Sequence, residues 1–243
     1  MQIIKLSATE STNLYLKQLV LDAPVSDFTL VVCDEQTQGR GQVGNIWQSE
    51  PFKNLTLSVL KKFDALHVED FFYLNCVVSL AIAKTLKDLS VGRVRVKWPN
   101  DIMAGNKKIC GILIENLLQT GHIKKSIIGI GLNVNQESFN NLPSATSVLL
   151  QTGKEKDREE VLQILIKNLK ECITDYPVSK YEFLKKEYEN LLFRRGTVST
   201  FKDTHKKQFS AVILGVSLEG RLQLQLEDDS IKDYAFKEVQ LFY

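Results

Sequence analysis

The 243-residue sequence is poor in the residues that staple or ligate. Its four cysteines, Cys33, Cys76, Cys110 and Cys172, are far apart, with no C-x-x-C pair and no histidine at zinc-finger spacing. That spacing argues against a disulfide framework or a Cys/His metal site, and the thiols read as small buried hydrophobes kept reduced. The three histidines, His67, His122 and His205, stand among polar residues with no base or ligand nearby in sequence, and read as surface groups. Neither charge sign dominates: 31 Lys and Arg against 29 Asp and Glu leave a net charge of +2, which gives no argument for nucleic-acid binding. No apolar run approaches the roughly 20 residues that cross a bilayer. The N-terminal MQIIKLSATEST also lacks the apolar core and cleavage site of a signal peptide. The expectation is therefore a cytoplasmic protein bound neither to DNA nor to membrane.

What is present is ordinary for a globular chain, with 44% hydrophobic and 25% charged residues, enough for one large domain or a larger and a smaller one. Leucines behind a Ser-Thr pair predict a helix of about two turns over Ser11 to Val20. Thr29 to Cys33, Leu55 to Leu60, Val94 to Trp98, Ile109 to Glu115 and Ser126 to Val134 read as strands, the last two joined through the turn at Gln119-Thr120-Gly121. Asp70 to Leu89 reads as a long helix, and Lys154 to Asn190 as two helices interrupted at Pro177, with Asp157 as a cap. Strands with hairpin-length links predict an α+β fold with a mixed sheet. Beyond Arg195-Gly196 the runs TVSTF, AVILGVS, RLQLQLE and AFKEVQLF are short and β-like, predicting a small barrel. The expected domains are residues 1–190 and 191–243.

Residues Gly39 to Trp47, GRGQVGNIW, put three glycines, an arginine and a tryptophan directly after a strand. Glycines let backbone N–H groups converge on an anion, and Arg40 adds charge. KWPND at 97–101 ends a strand with a lysine, then presents Asn100 and Asp101 where the ladder stops. Lys107 and Lys108 precede an apolar strand, Gly129 and Gly131 interrupt another, and Asn133 follows. Polar groups repeatedly set beside buried strands suggest one shared pocket.

In this order, STN near the start, then Q-x-x-GRG-x-x-G-x-x-W, KWPND, K-x-x-GILIE and GIGLNVN, the sequence resembles the biotin protein ligases over about residues 7 to 150. Its β-rich tail is similar to the C-terminal domain of that family. The resemblance implies a catalytic domain like that of class II aminoacyl-tRNA synthetases plus a Src-homology-3-like barrel. It also implies formation of biotinyl-5′-AMP from biotin and Mg-ATP, and acyl transfer to a lysine of a biotin carboxyl carrier protein. On it, Ser11, Thr12 and Gln36 would meet the ureido ring, with Asn13 beside them. The backbone of Arg40, Gly41 and Gln42 would hold the biotin carboxylate or the acyl-phosphate, with Gly39 among the binding positions of the loop. Lys108 and Arg40 would be the catalytic cations, with Lys97 approaching the phosphates. Asn100 and Asn133 would face adenine or ribose, Trp47 would pack by the nucleotide, and Gly111, Gly129 and Gly131 would be among the binding positions. Asp101 would position Mg2+ with ATP. For Trp47 and Trp98, core packing stands equally beside ligand contact.

The sequence departs from the family where several relatives carry further arginines in the glycine loop; here Gln42, Val43 and Asn45 stand. Retention of the adenylate is therefore expected to rest on backbone amides, apolar cover and Lys108. The first catalytic motif begins at Ser11, so no DNA-binding domain is expected ahead of it. The sequence does not set the oligomeric state, and a homodimer stays open. Two other readings remain: a lipoate or octanoate transferring enzyme, and a non-catalytic biotin-binding regulator.

Overall fold

The structure, a computed structural model, describes residues 1–140 and 142–242, without the side chains of Val43 and Ala65. Strand β1 (Ile3–Thr9) runs parallel to β2 (Leu30–Gln36), and helix α1 (Thr12–Asp22) connects them. The other five strands of this sheet are β3 (Leu55–His67), β4 (Val94–Lys97), β5 (Asp101–Ala104), β6 (Lys107–Gln119) and β7 (His122–Leu132). They pair antiparallel in the order β1-β2-β3-β7-β6-β5-β4, so the sheet is mixed as the hairpin-length links predict. The β6–β7 turn takes φ 47° at Thr120 and 75° at Gly121, a left-handed pair that matches the twist of a two-residue hairpin.

Alternation divides β7 between two environments. Ile128, Ile130 and Leu132 face the main core, under helices α2 (Phe71–Asp88) and α4 (Arg158–Asp175). Ile127 faces the other way with Leu60 and Val31, where they bury Leu16 and Val20 of α1. Gly129 and Gly131 continue along that second face, past the end of the apolar patch. The face thus changes from packing surface to site within four residues.

Helix α5 (Tyr181–Asn190) leads to a second sheet of β8 (Val198–Asp203), β9 (Gln208–Val216), β10 (Leu222–Leu226), β11 (Ile231–Tyr234) and β12 (Val239–Phe242), after the short α3 (Val148–Thr152) and α4. Its order is β11-β10-β9-β8-β12, all antiparallel. The expected barrel is not closed: β11 and β12, four residues each, lie at opposite edges, with no ladder between them among the described residues. Helix α5 bolts this sheet to the first part. Glu189 accepts from the Val216 N–H at 2.9 Å, Lys185 donates to the Val216 carbonyl at 2.8 Å, and Tyr181 donates to that of Leu218 at 2.6 Å. Phe201, Ile213, Leu222 and Leu224 belong to the same continuous apolar core as α2 and α4.

All four cysteines are free and buried, and burial pushes the thiol of Cys110 well up. His67 is exposed and lies ring to ring with half-buried His122, centroids 4.8 Å apart. No described helix is long and apolar enough to cross a membrane.

Candidate active site

Register brings the sequence-distant motifs together. Thr56 of β3 pairs with Gly131 of β7, Gly131 with Gly111 of β6, Gly111 with Asp101 of β5, and Asp101 with Lys97 of β4. Cross-strand partners share a face, so this one row crosses five strands along the floor of a cavity of about 580 Å³. Ser11, Thr12, Asn13 and Gln36 close one end, and Arg40 to Gln42 with Asn45 to Trp47 form a rim.

The glycines of the row answer to bulky neighbours. A Cβ on Gly131 would fall inside the Trp47 indole, and one on Gly111 would come within 3.1 Å of it. A Cβ on Gly129 would collide with the Asn13 amide. The strand interruptions are therefore close-approach positions, which only glycine fills without moving the partner.

Gly39 to Trp47 forms a small hairpin: Trp47 N–H donates to Gly39 O at 2.9 Å and Gly41 N–H to Asn45 O at 2.8 Å, around a tight turn at Gln42–Gly44. The Gly41 amide, expected to face an anion, is thus spent inside the loop, and neither closing bond uses the amides of Arg40 or Gln42. Gly39 does not line the cavity; it packs beneath the Trp47 carbonyl. Two side-chain atoms here are buried without a partner, the Trp47 indole N–H and the Gln42 Oε1. Buried polar groups are ordinarily paired, so both suit a ligand. The Val43 side chain lies outside the described residues.

The polar end is uncharged and interlocked. Gln36 Oε1 accepts from the Thr12 N–H at 2.8 Å, and Ser58 Oγ lies 2.7 Å from Thr12 Oγ1 and 2.6 Å from Asn13 Oδ1. Ser11 is the N-cap of α1 but makes no capping bond, which leaves its hydroxyl unspent in the helix.

The opposite wall is cationic. Lys108 pairs with Asp101 at 2.7 Å and its Nζ lies 5.6 Å from the Trp47 ring centre. Burial pushes the Lys97 ammonium down from the usual lysine range; Asp101 works against that and Lys108 adds to it. Two lysines thus flank one carboxylate, a local excess of positive charge suited to phosphate. Lys107 is exposed.

Asn100 lines the cavity, yet its amide donates to the Ile112 carbonyl at 2.6 Å, fixing the end of the β4–β5 connection. Asn133 is not in the lining. Its amide donates to Thr146 O at 2.9 Å and its backbone braces Ile109 and Val148, while its Oδ1 is buried without a partner. Trp98 lines the cavity but serves the interface between sheets, donating to Gly220 O at 2.8 Å and meeting Phe236 edge-on.

Several site residues escape motif reading. Thr56 and Ser58 alternate along LTLSVL, so the polar face of that strand is their signal. Glu115, four positions from Gly111 on the same face of β6, touches Asn13. Phe201 and Gln240 of the C-terminal sheet, with Phe236 and Lys237 of the β11–β12 connection, complete the far wall, and nothing in their local sequence announces it.

The model of the biotin/lipoate A/B protein ligase family matches residues 6–133, more than half of the chain. The chain belongs to that family. It is 30% identical over 212 residues to the bifunctional ligase/repressor BirA of Bacillus subtilis, covering 85% of this chain and 64% of that protein. It thus spans just under two thirds of the length of that relative. To the biotin--[acetyl-CoA-carboxylase] ligase of Paracoccus denitrificans it is 33% identical over 170 residues, 66% of this chain and 68% of that protein. The biotin protein ligase of Aquifex aeolicus, solved in complex with biotin and ATP, superposes with a TM-score of 0.81 at 29% identity, covering 99% of this chain and 98% of that one. The family match rests on the segment that carries α1, the glycine hairpin and the β4–β7 row.

Proposed function

We propose that the protein activates biotin with ATP as biotinyl-5′-AMP and transfers the acyl group to a lysine of a biotin carboxyl carrier domain. The observation that carries this is the polarity of the cavity over the glycine row. A neutral, hydrogen-bonding end at Ser11, Thr12 and Gln36 is joined across a glycine floor to a cationic wall at Lys97, Lys108 and Arg40. A ureido ring has neutral donors and acceptors and suits the first end; a carboxylate and a triphosphate suit the second. In the first step a biotin carboxylate oxygen bonds to the α-phosphorus of ATP and pyrophosphate leaves. In the second, the lysine amine attacks the acyl carbon, AMP leaves, and the amine loses its proton. Lys108 and Arg40 would stabilise charge building on the phosphate oxygens, and Lys97 would approach the phosphates. The amides of Arg40 and Gln42 remain for the carboxylate.

Mg2+ fits as a companion of the nucleotide. No group of three or more His, Cys, Asp or Glu side chains among the described residues would hold a metal alone, and Asp101 is the carboxylate of the cavity lining. Magnesium is commonly held by one or two carboxylates together with phosphates, which is what Asp101 beside bound ATP would provide; its chemistry would be charge neutralisation.

The names of the Paracoccus and Aquifex relatives support biotin as acid and a carboxylase as acceptor. A lipoate-transferring enzyme would want an apolar acyl tunnel where Thr12 and Gln36 stand. Pyrophosphate release from ATP, measured with biotin or lipoate in parallel, tests the reading. Release with biotin is expected; release with lipoate alone would move the assignment within the family, and biotin binding without release would make the protein a regulator.

A further inference from the structure

We propose that Glu115 is a positioning residue that fixes the direction of the hydrogen bonds around Thr12, so that the Thr12 hydroxyl oxygen offers an acceptor to an N–H of the ligand. This rests on the biotin-ligase reading of the site. It follows from counting protons. Asn13 Nδ2 donates to Glu115 Oε2 at 2.8 Å and to Leu113 O at 3.3 Å. Both partners are proton-free acceptors, so a turned amide would set oxygen against oxygen and the orientation of Asn13 is fixed. Its Oδ1 must then be the acceptor at the 2.6 Å contact with Ser58, which uses the only Ser58 proton. The 2.7 Å contact between the Ser58 and Thr12 hydroxyls is a hydrogen bond only if Thr12 donates. With that proton gone, the 3.1 Å approach of Thr12 Oγ1 to Gln36 Oε1 carries no hydrogen, and Gln36 keeps the Thr12 N–H instead.

The order therefore runs in one direction, from Thr12 to Ser58 to Asn13, and is terminated by the Asn13 amide clamped on Glu115. Thr12 and Asn13 line the cavity while Ser58 is fully buried behind them; the Asn13 amide is held on Glu115 and Ser58, and the Thr12 lone pair is the acceptor that the relay turns toward a ligand. A ureido N–H is a donor that fits it. A second Glu115 contact, Lys17 at 3.7 Å from Oε1, is half exposed and plays no part.

The acceptor at residue 115 matters here, and its charge does not, which sets the test. Biotin affinity is measured by calorimetry, with thermal melting alongside, on the unmodified protein and on Glu115→Gln, Glu115→Asp, Glu115→Leu and Lys17→Met. Gln offers an acceptor of the same reach, so E115Q is expected within about threefold of the unmodified affinity, as is K17M. Leu removes the acceptor and Asp falls a methylene short, so E115L and E115D are expected to lose about tenfold or more, with unchanged KM for ATP. If E115L does not fold, the contrast of E115D with E115Q carries the result. Equal affinity across the Glu115 variants overturns the relay, as does E115Q losing as much as E115D. An unmodified protein that does not bind biotin overturns the functional reading and this inference with it.

Discussion

Lys108 and Lys97 make opposite demands on the protein. The pair of Lys108 with Asp101 is part-exposed on both sides, so its contribution to stability is small, whereas the proposed function gives Lys108, set beside Trp47 in the cavity, the role of stabilising charge in the reaction. Lys108→Ala should therefore melt within about 2 °C of the parent, while biotin-dependent pyrophosphate release falls by about 10²–10³-fold. Full activity would show the lysine misassigned. Lys97 is held where burial depresses its pKa. A base with a lowered folded pKa costs stability while it is charged in the native state; that cost fades as pH rises through the folded value toward the ordinary lysine value. Lys97→Met should raise the melting temperature at neutral pH, with the gain shrinking at alkaline pH, and should raise the KM for ATP. A variant that melts lower at neutral pH would contradict this.

The strands and helices show what the sequence makes legible. Long periodic segments declare themselves: α2, α4, β6 and β7 lie within a few residues of their expected places, because burial of a whole face or stripe enforces the period. Short or edge elements do not. β1, the four-residue β5 and β11, and α3 are unannounced, since their pairing or packing partners, not their own patterns, hold them. The candidate site divides in the same way. The glycine hairpin, KWPND and the lysine at the start of β6 are visible as motifs, but their meeting depends on register, and Ser58 and Glu115 gain meaning only from Asn13 across the sheet. Asn133 shows the converse: a motif position that lies behind the lining. Register also makes Gly131 a test of the element. Gly131→Ala would push the Trp47 ring off the floor, and kcat/KM for ATP should fall about tenfold or more with biotin affinity changed less. Unchanged ATP kinetics would mean that the ring does not help form the nucleotide end.

Across the whole molecule, the two sheets share one core, and the C-terminal strands form a wall of the cavity, so the site is a property of the assembled chain. The bolt is Glu189, buried between Lys185 and the Val216 amide, where a Cβ at Gly215 would also collide with it. Removing one partner of such a pair costs about 3 kcal/mol, or roughly 6–12 °C in Tm for a chain this size. Glu189→Ala should show that loss in a melting curve, while Glu171→Ala, whose pairs with Lys84 and Lys167 are exposed, should show little. On the proposed function, one cavity both activates biotin and passes it to a carrier. Intact mass spectrometry of a biotin carboxyl carrier domain, incubated with the protein, ATP and equal biotin and lipoate, addresses it most directly. One biotinyl addition is expected at a single lysine, absent without ATP and absent when that lysine is arginine. An unmodified carrier, or a lipoyl addition in its place, would contradict it.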